Sequence, residues 1–171
     1  MTPSPTNKKT ANLTVRALCL AALFVLSWLE WMVPLGVPGV KFGFSNLVIL
    51  VFLSLFGFWE ACLMTGLKIV LSAFLFQGFS SFLFTMAGSI SSCVAMGLSM
   101  PLCKQGKISM AGVSAVGGFF HITLQYLMSV LVFGTTVVFG LYPMAAFITL
   151  FTSILIGTLA ELLTKRLPHI L

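Results

Sequence analysis

Apolar runs, each continuous for twelve or more residues and separated by short polar or Gly/Pro-containing breaks, fill this sequence from about Thr14 to Leu163. They predict six hydrophobic spans, near residues 14–34, 47–58, 59–76, 79–100, 110–133 and 144–163. A helix needs about 20 apolar residues to cross a bilayer. All but the second approach that length, and the apolar residues of the loop before the second span could complete its crossing. The runs do not alternate polar and apolar residues, which excludes a membrane β-barrel. Composition agrees: 59% of the 171 residues are apolar and 7% are charged, against about 25% charged in soluble domains. So few charges cannot cover a water-soluble surface, and lipid must be the outer solvent. The expected fold is all-α, a polytopic six-helix transmembrane bundle.

Net charge is +6, a value that in a soluble chain would suggest nucleic acid. The basic residues form no stripe, however, and nucleic-acid binding is not expected. Lys8, Lys9 and Arg16 precede the first span, Lys104 and Lys107 share the loop after the fourth, and Lys165 and Arg166 follow the sixth. With six spans, all seven fall on one side, and Lys41 alone falls in a loop on the other. The positive-inside rule then places both termini in the cytoplasm. The organisation expected is a flexible cytoplasmic N-terminus (residues 1–12), one transmembrane domain (13–165) and a short cytoplasmic tail (166–171). The first apolar run has basic flanks like a signal peptide, but it runs into Glu30, Trp31 and Pro34 without a small-x-small cleavage site. It is read as a retained helix.

Cys19, Cys62, Cys93 and Cys103 form no CxxC pair and read as small packing residues. Gly88, Ser89, Ser91 and Ser92 in the fourth span, and Gly112, Gly117 and Gly118 in the fifth, suit close helix approach in lipid.

Ionisable and amide side chains inside the spans carry more information. Lys68 lies mid-span, where insertion costs about 2.5–3.5 kcal/mol. It is either a member of a structural ion pair or an anchor for a polar or anionic ligand. Glu30, Lys41, Asn46 and Gln77 fall near the outer surface in this topology. His121 and Gln125, four residues apart, share one helix face. All seven could line one outward-opening cavity. Glu60 suits the start of the third helix through the helix dipole, and Glu161 with Lys165 suits a surface ion pair. The sequence has no GxxxxGK[ST], no GxSxG and no Asp at all. ATP binding by a P-loop and metal-dependent catalysis are therefore not expected, and no metal or cofactor is assigned.

PGVKFGFSN (residues 38–46), Glu30 upstream of it, and GGFFHITLQ (117–125) together resemble the Gx transporter family, also called heptaprenyl diphosphate synthase component I. The resemblance covers the chain from about Arg16 to Leu163. That family is similar to the substrate-binding S components of energy-coupling factor transporters. The resemblance implies a six-helix bundle in a bacterial cytoplasmic membrane, with a small-molecule substrate, an energy-coupling transmembrane subunit and ATPase subunits as partners. Glu30, Lys41, Asn46, His121 and Gln125 match the family's recurring polar positions. Lys68 stands where many relatives carry Arg, which keeps the charge but loses the bidentate fork. Ile122 and Leu124 replace the Asn and Gly of the usual HNxGQ pattern. An AxxxA element on the first helix meets the coupling subunit in S components, and Ala17 and Ala21 match it here.

The leading expectation is a non-catalytic substrate-binding component of an uptake transporter for a small solute. With Glu30, Lys41 and Lys68 summing to +1, an anionic, vitamin-like or isoprenoid-precursor-like solute is preferred. The alternatives are an accessory subunit of a prenyl diphosphate synthase or redox system, and a stand-alone secondary transporter. Prenyl elongation needs aspartate-rich magnesium sites, which a chain without Asp cannot supply.

Overall fold

A computed structural model describes residues 5–33 and 43–166, with side chains from residue 13 onward except those of 76–80. Its helices are α1 (Pro5–Met32), α2 (Phe44–Phe56), α3 (Phe58–Ser72), α4 (Gly78–Lys104), α5 (Met110–Phe133) and α6 (Tyr142–Arg166). A π-helical turn (Ala73–Gln77) joins α3 to α4, and a 3₁₀ turn (Val137–Leu141) precedes α6. No strand occurs among the described residues. Five helices are long and apolar enough to cross a membrane. Helix α2, with 13 residues, is about 20 Å long at 1.5 Å per residue, short of the roughly 30 Å hydrocarbon core. The segment expected to complete its crossing lies outside the described residues. Bulky apolar side chains such as Trp59, Phe74, Leu98, Leu131 and Phe147 point outward, as a lipid-solvated surface requires.

Local chemistry explains the helix ends. Helix α1 starts at Pro5, within the polar segment expected to be mobile. Pro101, directly after the span predicted at 79–100, does not stop the helix: α4 continues to Lys104. A proline in the last turn forfeits one hydrogen bond without ending the helix. The stop is Gly106, whose φ of +74° places it in the left-handed region. Its N–H donates to the Cys103 carbonyl at 2.9 Å, and the Lys107 N–H donates to that of Leu102 at 3.0 Å. That pattern is the Schellman motif. Ser109 then caps α5, its hydroxyl accepting from the Gly112 N–H at 3.2 Å.

Helix α5 lies between α4 and α6, and missing side chains set the distances. A Cβ on Gly117 would stand 2.5 Å from Met96 Cγ on α4. One on Gly118 would collide with the Ser153 hydroxyl on α6, and one on Gly157 with the Ala111 backbone. These close approaches agree with the small-residue reading. Gly112 departs from it, since only Ile108 and Ser109 border its Cβ position. The main core joins Leu23 of α1, Ile49, Leu50, Val51 and Leu53 of α2, Ala61 of α3, Cys93, Met96 and Met100 of α4, Met110 and Val113 of α5, and Ala160 of α6.

Candidate functional site: a polar cavity within the bundle

Helix α2 begins at Gly43, which has no side chain to cap the first N–H groups. The cap comes from α1 instead. Glu30 reaches across, and its Oε1 accepts from the Ser45 N–H at 3.1 Å. A carboxylate is favoured there, because the unsatisfied N–H groups make a helix N-terminus electropositive. The Ser45 hydroxyl donates to Glu30 Oε2 at 2.9 Å and accepts from Lys68 Nζ at 2.6 Å. Glu30, Ser45 and Lys68 are all buried, at 6%, 1% and 6% exposure. An unaccompanied ammonium or carboxylate would be costly at such burial. Here the two charges are bridged through one hydroxyl, and three helices are tied together.

This unit forms one wall of a cavity of about 30 Å³. Ser27 of α1 and Asn46 of α2 stand beside it, and Thr85 and Ser89 face in from α4. His121 and Gln125 of α5 with Thr149 and Ser153 of α6 complete the lining. Gly88 on α4 makes room for the imidazole, since a Cβ there would lie 3.0 Å from His121 Cε1 and Nε2. Three lining oxygens, Ser89 Oγ, Gln125 Oε1 and Thr149 Oγ1, are buried with no hydrogen-bond partner among the described residues. All six helices reach the cavity from the half of the bundle where α1, α3 and α5 end. The opposite end carries Arg16, Lys104, Lys107, Lys165 and Arg166.

Residues 18–163 match the family described as heptaprenyl diphosphate synthase component I. The chain belongs to that family. No curated protein and no solved structure matches it. In this component I protein the family match runs from α1 into α6 and so takes in every cavity-lining helix.

Five of the seven residues predicted for the site line the cavity: Glu30, Asn46, Lys68, His121 and Gln125. Lys41 lies outside the described residues. Gln77 sits in the π-helical turn, and its side chain lies outside them too. Ala17 and Ala21 are exposed on α1. Glu60, assigned to the start of the third helix, sits in the first turn of α3 and pairs with Arg16 of α1 at 3.0 Å. Glu161 and Lys165 pair at 2.8 Å, as expected. Sequence reasoning missed Ser45, which holds the two charges together, and the hydroxyl residues Ser27, Thr85, Thr149 and Ser153. Helical Ser and Thr usually bond back to their own backbone, as Ser27 does to the Leu23 carbonyl at 2.8 Å. Nothing in the sequence separates those from the ones that face a cavity.

Proposed function

We propose that this component I protein is the membrane-embedded, solute-binding subunit of an energy-coupling factor type uptake system. The observation that carries this reading is the convergence of a buried acid, a buried base and a ring of hydroxyl and amide groups, from six helices, on one cavity. Polar groups inside a membrane bundle are costly and normally mark a substrate path or site. The basic residues of the opposite end, with Lys8 and Lys9 before the first span, then lie in the bacterial cytoplasm with both termini, and the cavity belongs to the outer half. Its volume suits about two water molecules, so the conformation is closed and a solute enters when the lining helices part. Energy would come from partner ATPases, since the chain carries no P-loop. Ala17 and Ala21, small and exposed on α1, offer the coupling subunit a close approach. The role is non-catalytic.

Native mass spectrometry of the protein purified from membranes tests this reading. The expected result is one small molecule and a transmembrane coupling subunit on the wild type, with Ala17→Trp/Ala21→Trp losing the subunit and keeping the small molecule. The family description favours a second reading, an accessory subunit beside another synthase component. Copurification of a soluble synthase with no small molecule would replace the first reading by this one.

A further inference from the structure

We infer that the cavity takes an uncharged solute rich in hydrogen-bond donors, of the polyol or amide kind, rather than an anion. This rests on the solute-binding reading above and departs from the preference for an anion drawn from counting Glu30, Lys41 and Lys68, of which Lys41 lies outside the described residues. Glu30 and Lys68 are not loose charges awaiting a counterion. One carboxylate oxygen holds the Ser45 N–H at the start of α2, the other holds the Ser45 hydroxyl, and that hydroxyl holds the ammonium. With His121 neutral, the described lining sums to zero charge. An entering anion would lose its hydration and meet a carboxylate in the lining as well as an ammonium. The net Coulomb gain would not offset the desolvation.

Hydrogen-bond polarity points the same way. Ser89 Oγ, Gln125 Oε1 and Thr149 Oγ1 come from three helices and are buried without partners among the described residues. Their residues are 1%, 6% and 7% exposed. The Gln125 carbonyl oxygen can only accept, and each hydroxyl can accept as well as donate. A solute that presents O–H or N–H groups would satisfy all three oxygens at once. An ionised carboxylate or phosphate presents acceptors only and leaves the Gln125 oxygen unmet.

The test is calorimetric titration of the full chain in lipid nanodiscs with two pairs that differ in charge: nicotinamide against nicotinate, and glycerol against glycerol 3-phosphate. The neutral member of at least one pair is expected to bind about tenfold or more tightly than its anionic partner. Gln125→Leu and, separately, Thr149→Val should each weaken that binding by about tenfold while the thermal transition of the protein is retained. Tighter binding of the anionic members overturns the inference and leaves the solute-binding reading standing. Binding of the neutral members that neither Gln125→Leu nor Thr149→Val weakens, or no binding of them at all, also overturns the inference, while the solute-binding reading stands or falls by the mass-spectrometric test.

Discussion

At the end of the bundle that carries Arg16, Lys104, Lys107 and Lys165, the interior is largely apolar. Cys62 and Cys93 touch at 3.6 Å between their sulfurs, packed with Met96, Met100, Val113 and Ala160. Charge there stays at the rim, in the half-exposed Arg16–Glu60 pair and the exposed Lys165–Glu161 pair. At the other end the arrangement is inverted. Glu30 and Lys68 are inside, each 6% exposed, and the walls are hydroxyls and amides. The first region rests mainly on shape complementarity, although it also buries the hydroxyls of Thr65, Ser92 and Ser114. The second needs its hydrogen bonds completed, and three oxygens are left over. Local departures from a fully satisfied interior concentrate at functional sites, and three of the unpartnered oxygens here line the cavity.

The sharpest way to break the contrast is to remove one of the inner charges. Glu30→Leu leaves the Lys68 ammonium without its counter-charge and uncaps α2. The expected loss is on the order of 3–5 kcal/mol, read from reversible unfolding in mixed micelles. Adding Lys68→Met should recover most of it, because replacing both charges by apolar groups is often nearly neutral. A double variant no more stable than Glu30→Leu alone would mean that the two charges do not depend on each other.

The largely apolar end and the close α5–α6 contact give a second comparison. Gly157→Ala should cost about 1–3 kcal/mol through overpacking. Its Cβ would fall on the Ala111 backbone and lie 2.8 Å from the Met110 carbonyl oxygen, and backbone cannot move aside as a flexible side chain can. Gly66→Ala on α3, where no atom lies within 4 Å of the new Cβ, should be neutral or stabilising by up to about 1 kcal/mol. Equal losses at both positions would show that helix approach is not what fixes Gly157.

Much of this was legible before any coordinates. Continuous apolar runs require helices in lipid, and the ends of α5 coincide with the span predicted at 110–133. Lys68, Glu30, His121 and Gln125 stood out because their side chains are expensive in hydrocarbon, and all four meet in space. Other features stayed hidden for physical reasons. Pro101 looks like a stop, but a last-turn proline costs a single bond and the αL glycine at 106 ends the helix. Ser45 is an ordinary helical serine until α1 brings a carboxylate to it from fifteen residues away. The surplus positive charge in the sequence count comes from Lys41, which lies outside the described residues, whereas Glu30 and Lys68 meet through Ser45.

The smallest expected effect tests the rim. Arg16 Nη2 lies 3.0 Å from Glu60 Oε1, with side chains 39% and 34% exposed, and its guanidinium stands 5.4 Å over the Phe56 ring. Solvent screens a pair this exposed, so Arg16→Met should cost under about 1 kcal/mol, and added salt should shrink that loss. The loss in Glu30→Leu should barely respond to salt, because ions do not reach a buried charge. Unfolding both variants at low and high ionic strength separates the two behaviours. A salt-insensitive loss above about 2 kcal/mol for Arg16→Met would exceed what an exposed pair supplies. The basic end would then hold as much committed charge as the cavity end, and the division of the bundle into a largely apolar half and a polar half would fail.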